Sequence, residues 1–155
     1  MHTRRHALAT LAALAGGALV RPAAAARPAG SPAPTVEVWK SPSCGCCKDW
    51  VTHLERNGFA VTVHDTGNSA ARARLAMPAR HGSCHTAQAG RYAIEGHVPA
   101  REIRRLLAER PDAVGLAVPG MPVGSPGMEQ GSERDPFDVL LVRADGSATV
   151  YQRYR

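Results

Sequence analysis

The chain has 155 residues, a formal net charge of +6 and an aromatic content of only 5%. Nucleic-acid binding requires a basic surface with interleaved aromatic side chains, whereas the lysines and arginines here are scattered among acidic residues. The composition therefore argues against a nucleic-acid partner. The chain is long enough to fold around one core without cross-links, so its four cysteines are expected to have a role besides stability.

The first 26 residues have the pattern of a secretory signal peptide. A basic start, MHTRR, precedes an apolar run from Ala7 to Val20, and the small residues Ala23 to Ala26 suit an A-x-A cleavage site. The run is too short to cross a bilayer about 30 Å thick, so no membrane span is expected in the mature chain. The paired arginines resemble a twin-arginine signal, and the general secretory route is equally compatible. The sequence thus predicts a bacterial periplasmic protein, whose net charge falls from +6 to +3 because cleavage removes three arginines and no acid.

Residues 27 to 34 form a linker rich in proline, alanine and glycine, and residues 35 to 155 are predicted to form one α/β domain. Thr35 to Trp39 alternates and contains β-branched residues, as a strand does. Apolar residues then recur at helical spacing from Cys47 to Leu54. Phe59 to His64 predicts a second strand, which should pair in parallel with the first because a helix connects them.

Further elements are predicted from residues that start or stop regular structure. They are a short helix from Ala70 to Met77 capped by Asn68 or Ser69, a strand at Tyr92 to Glu95, a helix from Ala100 to Arg110 after Pro99, and a hairpin from Phe137 to Tyr151. Residues 115 to 136 are rich in proline and glycine and predict an ordered loop or lid near the cysteines.

Three cysteines lie within four positions in SPSCGCCKDW, at the start of the first predicted helix. Cys44 and Cys47 form a C-x-x-C pair, and C-G-C-C-K resembles the C-G-P-C-K of thioredoxin with Cys46 in place of proline. Pro136 and the hairpin after it likewise resemble the proline, strand and turn that follow in that fold. The resemblance implies a thioredoxin-like domain with a mixed central sheet flanked by helices. A helix N-terminus stabilises thiolates, which serves redox attack and metal ligation alike.

The number of thiols bears on the choice between these two chemistries. A dithiol exchanger needs two sulfurs, and a third between them invites scrambling, whereas crowded thiolates are preferred ligands of Cu(I), zinc and iron–sulfur clusters. Cys84 makes the count four, and by count alone a structural disulfide and a metal site are equally compatible. The clustering favours metal, and adjacent Cys46 and Cys47 suit bridging of several Cu(I) ions better than a zinc site built from two separate knuckles.

Other side chains could complete such a site. Met121 and Met128 lie in the loop rich in proline and glycine, and a thioether binds Cu(I) without losing a proton. His85 is a candidate because it follows a cysteine directly. The remaining histidines of the predicted domain are interpreted as surface or core-edge residues: His53, His64, His81 and His97.

Four segments together resemble the CopG-type copper-resistance proteins, a bacterial periplasmic family: SPSCGCC, SCHTA, IEGHVPA and AVPGMPVGSPGME. The resemblance runs from about Val36 to Tyr151. It implies a thioredoxin-like fold and a copper cluster bridged by cysteine thiolates, with the ligand role falling on Cys44, Cys46, Cys47 and Cys84. His81-Gly82 and a turn at Ala87 to Gly90 are interpreted as local variation around this pattern.

The leading hypothesis is a periplasmic protein of copper tolerance that holds several Cu(I) ions and exchanges copper with other periplasmic copper-handling proteins. One alternative is a thiol–disulfide oxidoreductase with Cys44 as nucleophile and Cys47 as resolving thiol. A combined hypothesis is an oxidoreductase acting on copper, in which the thiols store electrons. A zinc-stabilised binding module is a further, weaker alternative.

Overall fold

The computed structural model describes residues 32 to 155, which form an α/β domain around a mixed seven-stranded sheet. The strands are β1 Thr35–Lys40, β2 Ala60–His64, β3 His85–Ala89, β4 Tyr92–Glu95, β5 Gly115–Ala117, β6 Phe137–Val142 and β7 Ala148–Tyr154. The helices are α1 Gly45–Arg56, α2 Ser69–Arg74 and α3 Ala100–Glu109, with a 3-10 turn at Ala79–His81. The predicted signal peptide lies outside the described residues. Within residues 32 to 155, no helix is long and apolar enough to span a membrane.

The predicted strand–helix–strand unit at the start of the domain is confirmed. Strands β1 and β2 pair in parallel, with Val36 opposite Val61 and Val38 opposite Val63. Helix α1 connects them and buries the apolar stripe that its sequence spacing predicted, including Trp50. Since β1 ends at Lys40 and α1 begins at Gly45, the cysteines lie in the short connection and the first helical turn.

Strand β3 was not predicted, and the prediction of a turn at Ala87 to Gly90 is wrong. Residues 85 to 89 instead form a central strand, antiparallel to β1 on one side and to β4 on the other. Its sequence, HTAQA, has a single β-branched residue, so local preference gives little signal for a strand. Pairing on both edges and burial of Ala87 and Ala89 in the main apolar cluster stabilise it.

The sequence prediction is also wrong at the start of residues 115 to 136. Gly115–Ala117 forms β5, parallel to β4 and antiparallel to β6. A Cβ added at Gly115 would lie 1.7 Å from the carbonyl oxygen of Ala93, so the close approach of these two strands requires glycine. The rest of the segment connects β5 to β6 outside the sheet.

The hairpin at the C-terminal end is confirmed, but it occupies a different place from the one the thioredoxin comparison implied. The sheet order is β2-β1-β3-β4-β5-β6-β7, so the strand after Pro136 is separated from β1 by three other strands. The hairpin beside β1 is β3–β4, and the residue that immediately precedes it is Cys84.

Helix α2 is shorter than the sequence predicted. It ends at Arg74, and Ala76 adopts a left-handed conformation with φ of 56°. Asn68 is the N-cap residue, yet its side chain makes no capping hydrogen bond. The Asn68 amide instead donates to the Ser83 carbonyl at 3.2 Å and to the Thr86 hydroxyl at 3.3 Å. Asn68 therefore supports the segment before β3 rather than its own helix.

Candidate metal centre

Three of the four cysteines are positioned by the start of α1. Cys44 is the N-cap residue, and its N–H donates to the carbonyl of Ser41 at 3.1 Å, which closes the turn after β1. Cys47 faces the core and is fully buried, whereas Cys46 is half-buried. The N-cap makes no side-chain hydrogen bond to the helix, so the free N–H groups of the first turn can stabilise negative charge on nearby sulfur.

The fourth cysteine, Cys84, comes from a distant part of the chain and immediately precedes β3. Cys84 Sγ lies 3.8 Å from Cys46 Sγ, and Cys46 Sγ lies 3.6 Å from Cys44 Sγ. All four sulfurs lie within 4.8 Å of one another. The structure thus brings together the four cysteines that the sequence singled out, although their residues are up to 40 positions apart.

Two of these sulfurs are covalently joined. Cys44 and Cys47 form a disulfide, and Cys46 and Cys84 are free thiols. A disulfide to Cys84, which the cysteine count left open, is absent among the described residues. Since thiolates rather than disulfide sulfurs are the strong ligands of soft metals, a four-thiolate site exists only after this disulfide has been reduced.

A second group of candidate ligands shares Cys84 with the first. His97 Nε2 lies 3.1 Å and His85 Nδ1 lies 3.4 Å from Cys84 Sγ. His97 Nδ1 lies 2.8 Å from the carbonyl oxygen of Pro126, so that nitrogen carries the proton and donates, which leaves Nε2 with a lone pair towards sulfur. The three side chains form a second potential metal-binding group.

Interpreting His97 as a surface or core-edge residue was wrong, because the side chain is fully buried. A signal for it existed in the hairpin register. Strands β3 and β4 pair Thr86 with Glu95, and continuing that antiparallel register by two residues places Cys84 opposite His97. That register exists only because residues 85 to 89 form a strand.

Burial controls protonation in this region. Desolvation, together with the nearby Cys46 sulfur, raises the pKa of Cys84 to about 12. Desolvation, reinforced by His97, lowers the pKa of His85 to about 3, and burial also lowers the pKa of His97. The imidazoles are therefore neutral and competent as ligands, whereas a metal ion must displace the proton of the Cys84 thiol.

The segment between β5 and β6 contacts the site through its backbone. An added Cβ at Gly127 would lie 2.7 Å from the carbonyl oxygen of Cys46 and 2.6 Å from the amide nitrogen of Trp50. Of the two methionines in this segment, Met121 is exposed and Met128 is half-buried. Ligation by either thioether stays a prediction.

One family model matches the part of the chain that carries Cys84 and His97. The family model described as "Protein of unknown function, DUF411" matches residues 81–128, a range that includes Cys84 and His97. A search of curated proteins gives no significant match.

Two solved structures of relatives match almost the whole described domain. "Copper resistance protein copG- Form 1" is 49% identical, with a TM-score of 0.75, and the match covers 80% of this chain and 98% of that one. "Copper resistance protein copG- Form 2" is 48% identical, with a TM-score of 0.74, and the match covers 79% of this chain and 99% of that one. At this identity and coverage, the chain belongs to the CopG family of copper resistance proteins.

Proposed function

We propose that this protein binds copper as Cu(I) through its four clustered cysteines and thereby contributes to copper tolerance. The observation that carries the proposal is the convergence of four sulfurs within 4.8 Å in a chain of a copper resistance family. Thiolate sulfur is a soft ligand, and soft ligands select Cu(I) over the harder cations. Copper is therefore the cargo of the site, and zinc is the less favoured occupant.

The proposed site holds more than one copper ion. Cys84 belongs both to the four-sulfur group and to the group with His85 and His97. A thiolate has lone pairs for two metals, so Cys84 can bridge one ion among the sulfurs and another beside the imidazoles. Met121 and Met128 are the proposed additional ligands from the segment that covers the start of α1.

Copper binding and the Cys44–Cys47 disulfide are chemically coupled in this proposal. An external dithiol reductant, which is itself oxidised to a disulfide, supplies the two electrons and two protons that convert the Cys44–Cys47 disulfide into two thiols, and these thiols lose their protons when Cu(I) binds. In the opposite direction, two thiols can reduce two Cu(II) ions to Cu(I), releasing two protons and re-forming the disulfide. This reaction would make the protein an oxidoreductase on copper, which is an extension of the binding role.

A second candidate function is thiol–disulfide exchange, which the Cys44–Cys47 disulfide specifically favours. Cys44 is more exposed than the fully buried Cys47, as expected for an attacking and a resolving thiol. The Cys44 thiolate would attack a substrate disulfide, and Cys47 would then displace the reduced substrate and close the disulfide.

The proposal also includes the scaffold of the protein, its compartment and its partners. A C-x-x-C pair at the start of α1, after β1 and within a parallel strand–helix–strand unit, supports a thioredoxin-like scaffold. The N-terminal pattern of residues 1 to 26 supports export to the periplasm. Other copper-handling proteins of that compartment are the proposed source and destination of the metal.

The test is Cu(I) titration of the reduced protein, using the full mature chain and the Cys46→Ser variant. We expect more than one Cu(I) per wild-type protein and loss of the bridged site in Cys46→Ser, because Cys46 neighbours both Cys44 and Cys84. Ser43→Ala is the control, since it alters the same turn without removing a sulfur. No bound Cu(I), or unchanged binding by Cys46→Ser, would refute the cluster.

The Cys46→Ser variant also distinguishes thiol–disulfide exchange from copper binding. Disulfide exchange with a model substrate should survive Cys46→Ser and disappear in Cys44→Ser if the protein is an exchanger. Metal analysis of protein purified without added metal tests the zinc alternative, because a zinc-stabilised module would retain zinc and unfold on chelation.

A further inference from the structure

Cys84 is the one sulfur of the four that does not belong to the first turn of α1. It lies between the 3-10 turn at Ala79–His81 and β3, in a stretch where no helix or strand holds the backbone. A ligand in such a stretch would be poorly positioned unless other contacts restrain it. The peptide groups of its neighbour Ser83 provide those contacts.

Ser83 is held on both sides of its backbone. Its N–H donates to Glu95 Oε1 at 2.7 Å. Its carbonyl oxygen accepts from the Arg72 guanidinium at 2.8 Å and from the Asn68 amide at 3.2 Å. The residue next to Cys84 is therefore fastened to α2 and to β4 at the same time.

Glu95 is the centre of this arrangement and is completely buried. The Oε1 atom also accepts two N–H groups of Arg72, at 2.7 and 3.0 Å, and Oε2 accepts the Thr86 hydroxyl at 2.6 Å. A buried carboxylate is costly unless it is paired and hydrogen-bonded, and this one satisfies both conditions. Because both of its oxygens already accept hydrogen bonds, Glu95 is not itself available as a metal ligand.

The two residues after Glu95, Gly96 and His97, lie against the segment that carries Ser83 and Cys84. Gly96 has a φ of +70°, and a Cβ added there would lie 2.7 Å from Cβ of Ser83 and 2.5 Å from the carbonyl oxygen of Val118. His97 then contacts the Cys84 sulfur. Three consecutive residues of the IEGH sequence thus contact Ser83 or Cys84, which gives a physical account of this motif.

We propose that Glu95, paired with Arg72, is a positioning residue that holds Cys84 at the copper site before the metal arrives. The inference rests on the proposed function, since it assigns Glu95 a role in that same site. A sulfur held in place binds copper without the cost of ordering the segment that carries it. Partners of this kind behind a metal ligand typically contribute 10-fold to 100-fold to metal affinity.

The decisive variant is Glu95→Gln, which preserves shape but removes the charge that pairs with Arg72. In the reduced protein, we expect Cu(I) affinity to fall by about 10-fold to 100-fold. X-ray absorption should show fewer sulfur ligands per copper, approaching the spectrum of Cys84→Ser. Thr86→Val is the matched control, because it removes the hydroxyl that donates to the same carboxylate and accepts from the Asn68 amide, and it removes no hydrogen bond to Ser83. It should change Cu(I) affinity by less than about threefold.

A copper-free measurement tests the positioning directly. Amide hydrogen exchange at Ser83 in the metal-free protein should accelerate at least about tenfold in Glu95→Gln and stay near wild type in Thr86→Val, because only the first weakens the Ser83 N–H bond. If Glu95→Gln does not fold, Arg72→Lys replaces it. Lysine keeps the charge but cannot bond Glu95 and Ser83 together in the same fork geometry. The loss of Cu(I) affinity and the faster amide exchange at Ser83 should therefore both appear, but each should be smaller than in Glu95→Gln.

The possible outcomes separate the two proposals. A folded Glu95→Gln protein with wild-type copper affinity, sulfur count and Ser83 exchange would overturn the positioning role while leaving copper binding intact. Equal losses in Glu95→Gln and Thr86→Val would also overturn it, since they would reflect a general loss of stability. Wild-type protein that binds no copper would refute the proposed function, and the exchange measurement would still decide the role of Glu95.

Discussion

The two halves of the cysteine site are built in different ways. Cys44, Cys46 and Cys47 occupy one helical turn, so chain connectivity alone keeps them close. Cys84 and its histidines are instead brought in by the β3–β4 hairpin and by a buried ion pair between Arg72 and Glu95. The first half is local in sequence, whereas the second depends on contacts among three separate elements.

This difference predicts different sensitivities. Sulfurs in a single turn stay within reach of one another even when distant packing is weakened. The position of Cys84 is lost as soon as the hairpin or its anchors move, because nothing local replaces them. Substitutions of residues that join the halves, or that belong to only one half, therefore test whether the two halves respond separately.

The largest effect is expected at Trp50, which joins the two halves. Its ring is fully buried and lies 4.3 Å from the His85 ring, and its Nε1 donates to the carbonyl of Val98 at 2.9 Å. Trp50→Ala should lower the free energy of unfolding by about 3–5 kcal/mol, because it opens a large cavity and leaves a buried carbonyl unpaired. Urea unfolding measures this, and a loss below about 1 kcal/mol would show that the two halves are stabilised independently.

A smaller effect, confined to the helix half, is expected at Gly127. Alanine there would meet backbone atoms of Cys46 and Trp50, which cannot move aside as a side chain can. Gly127→Ala should cost about 1–3 kcal/mol more than Gly131→Ala. Gly131 also has a positive φ, of +55°, but has nothing within 4 Å of an added Cβ. Thermal or urea unfolding compares the two variants, and equal losses would show that only backbone strain matters.

The effect that is smallest over a single pH unit, confined to the hairpin half, is a pH dependence of the stability of the metal-free protein. Burial holds the pKa of His85 at about 3, against 6.5 for the ordinary group. Between these values the unfolded chain binds a proton that the folded chain does not. The free energy of unfolding should therefore fall by up to about 1.4 kcal/mol per pH unit as pH decreases from 6.5 towards 3, with no contribution above that range.

His85→Leu should flatten that slope, since the side chain no longer titrates. Half-buried His53 and buried His97, whose pKa values are also lowered by desolvation, should leave a residual slope. Urea unfolding at a series of pH values gives the measurement. An identical slope in wild type and variant would contradict the assignment of the effect to His85.

The arrangement of the helix half of the site could be predicted from the sequence, whereas that of the hairpin half could not. Helix α1 was predictable because its buried stripe repeats at helical spacing, and the position of the cysteines at its start followed from that. Strand β3 was not, because HTAQA gains its strand conformation from pairing with β1 and β4 rather than from its own residues. The importance of His97 was missed for the same reason, since only the hairpin register places it opposite Cys84.

The βαβ unit, the clustering of three thiols and the family to which the chain belongs could be predicted from the amino-acid sequence, because they depend on neighbouring residues and short motifs. Long-range packing selects the side chains that complete the site. It pairs Cys44 with Cys47, places His97 against Cys84 and buries Glu95 beneath Ser83. Such contacts join residues far apart in the chain, and they are set by sheet register and by the need to satisfy buried polar groups, neither of which a local pattern contains.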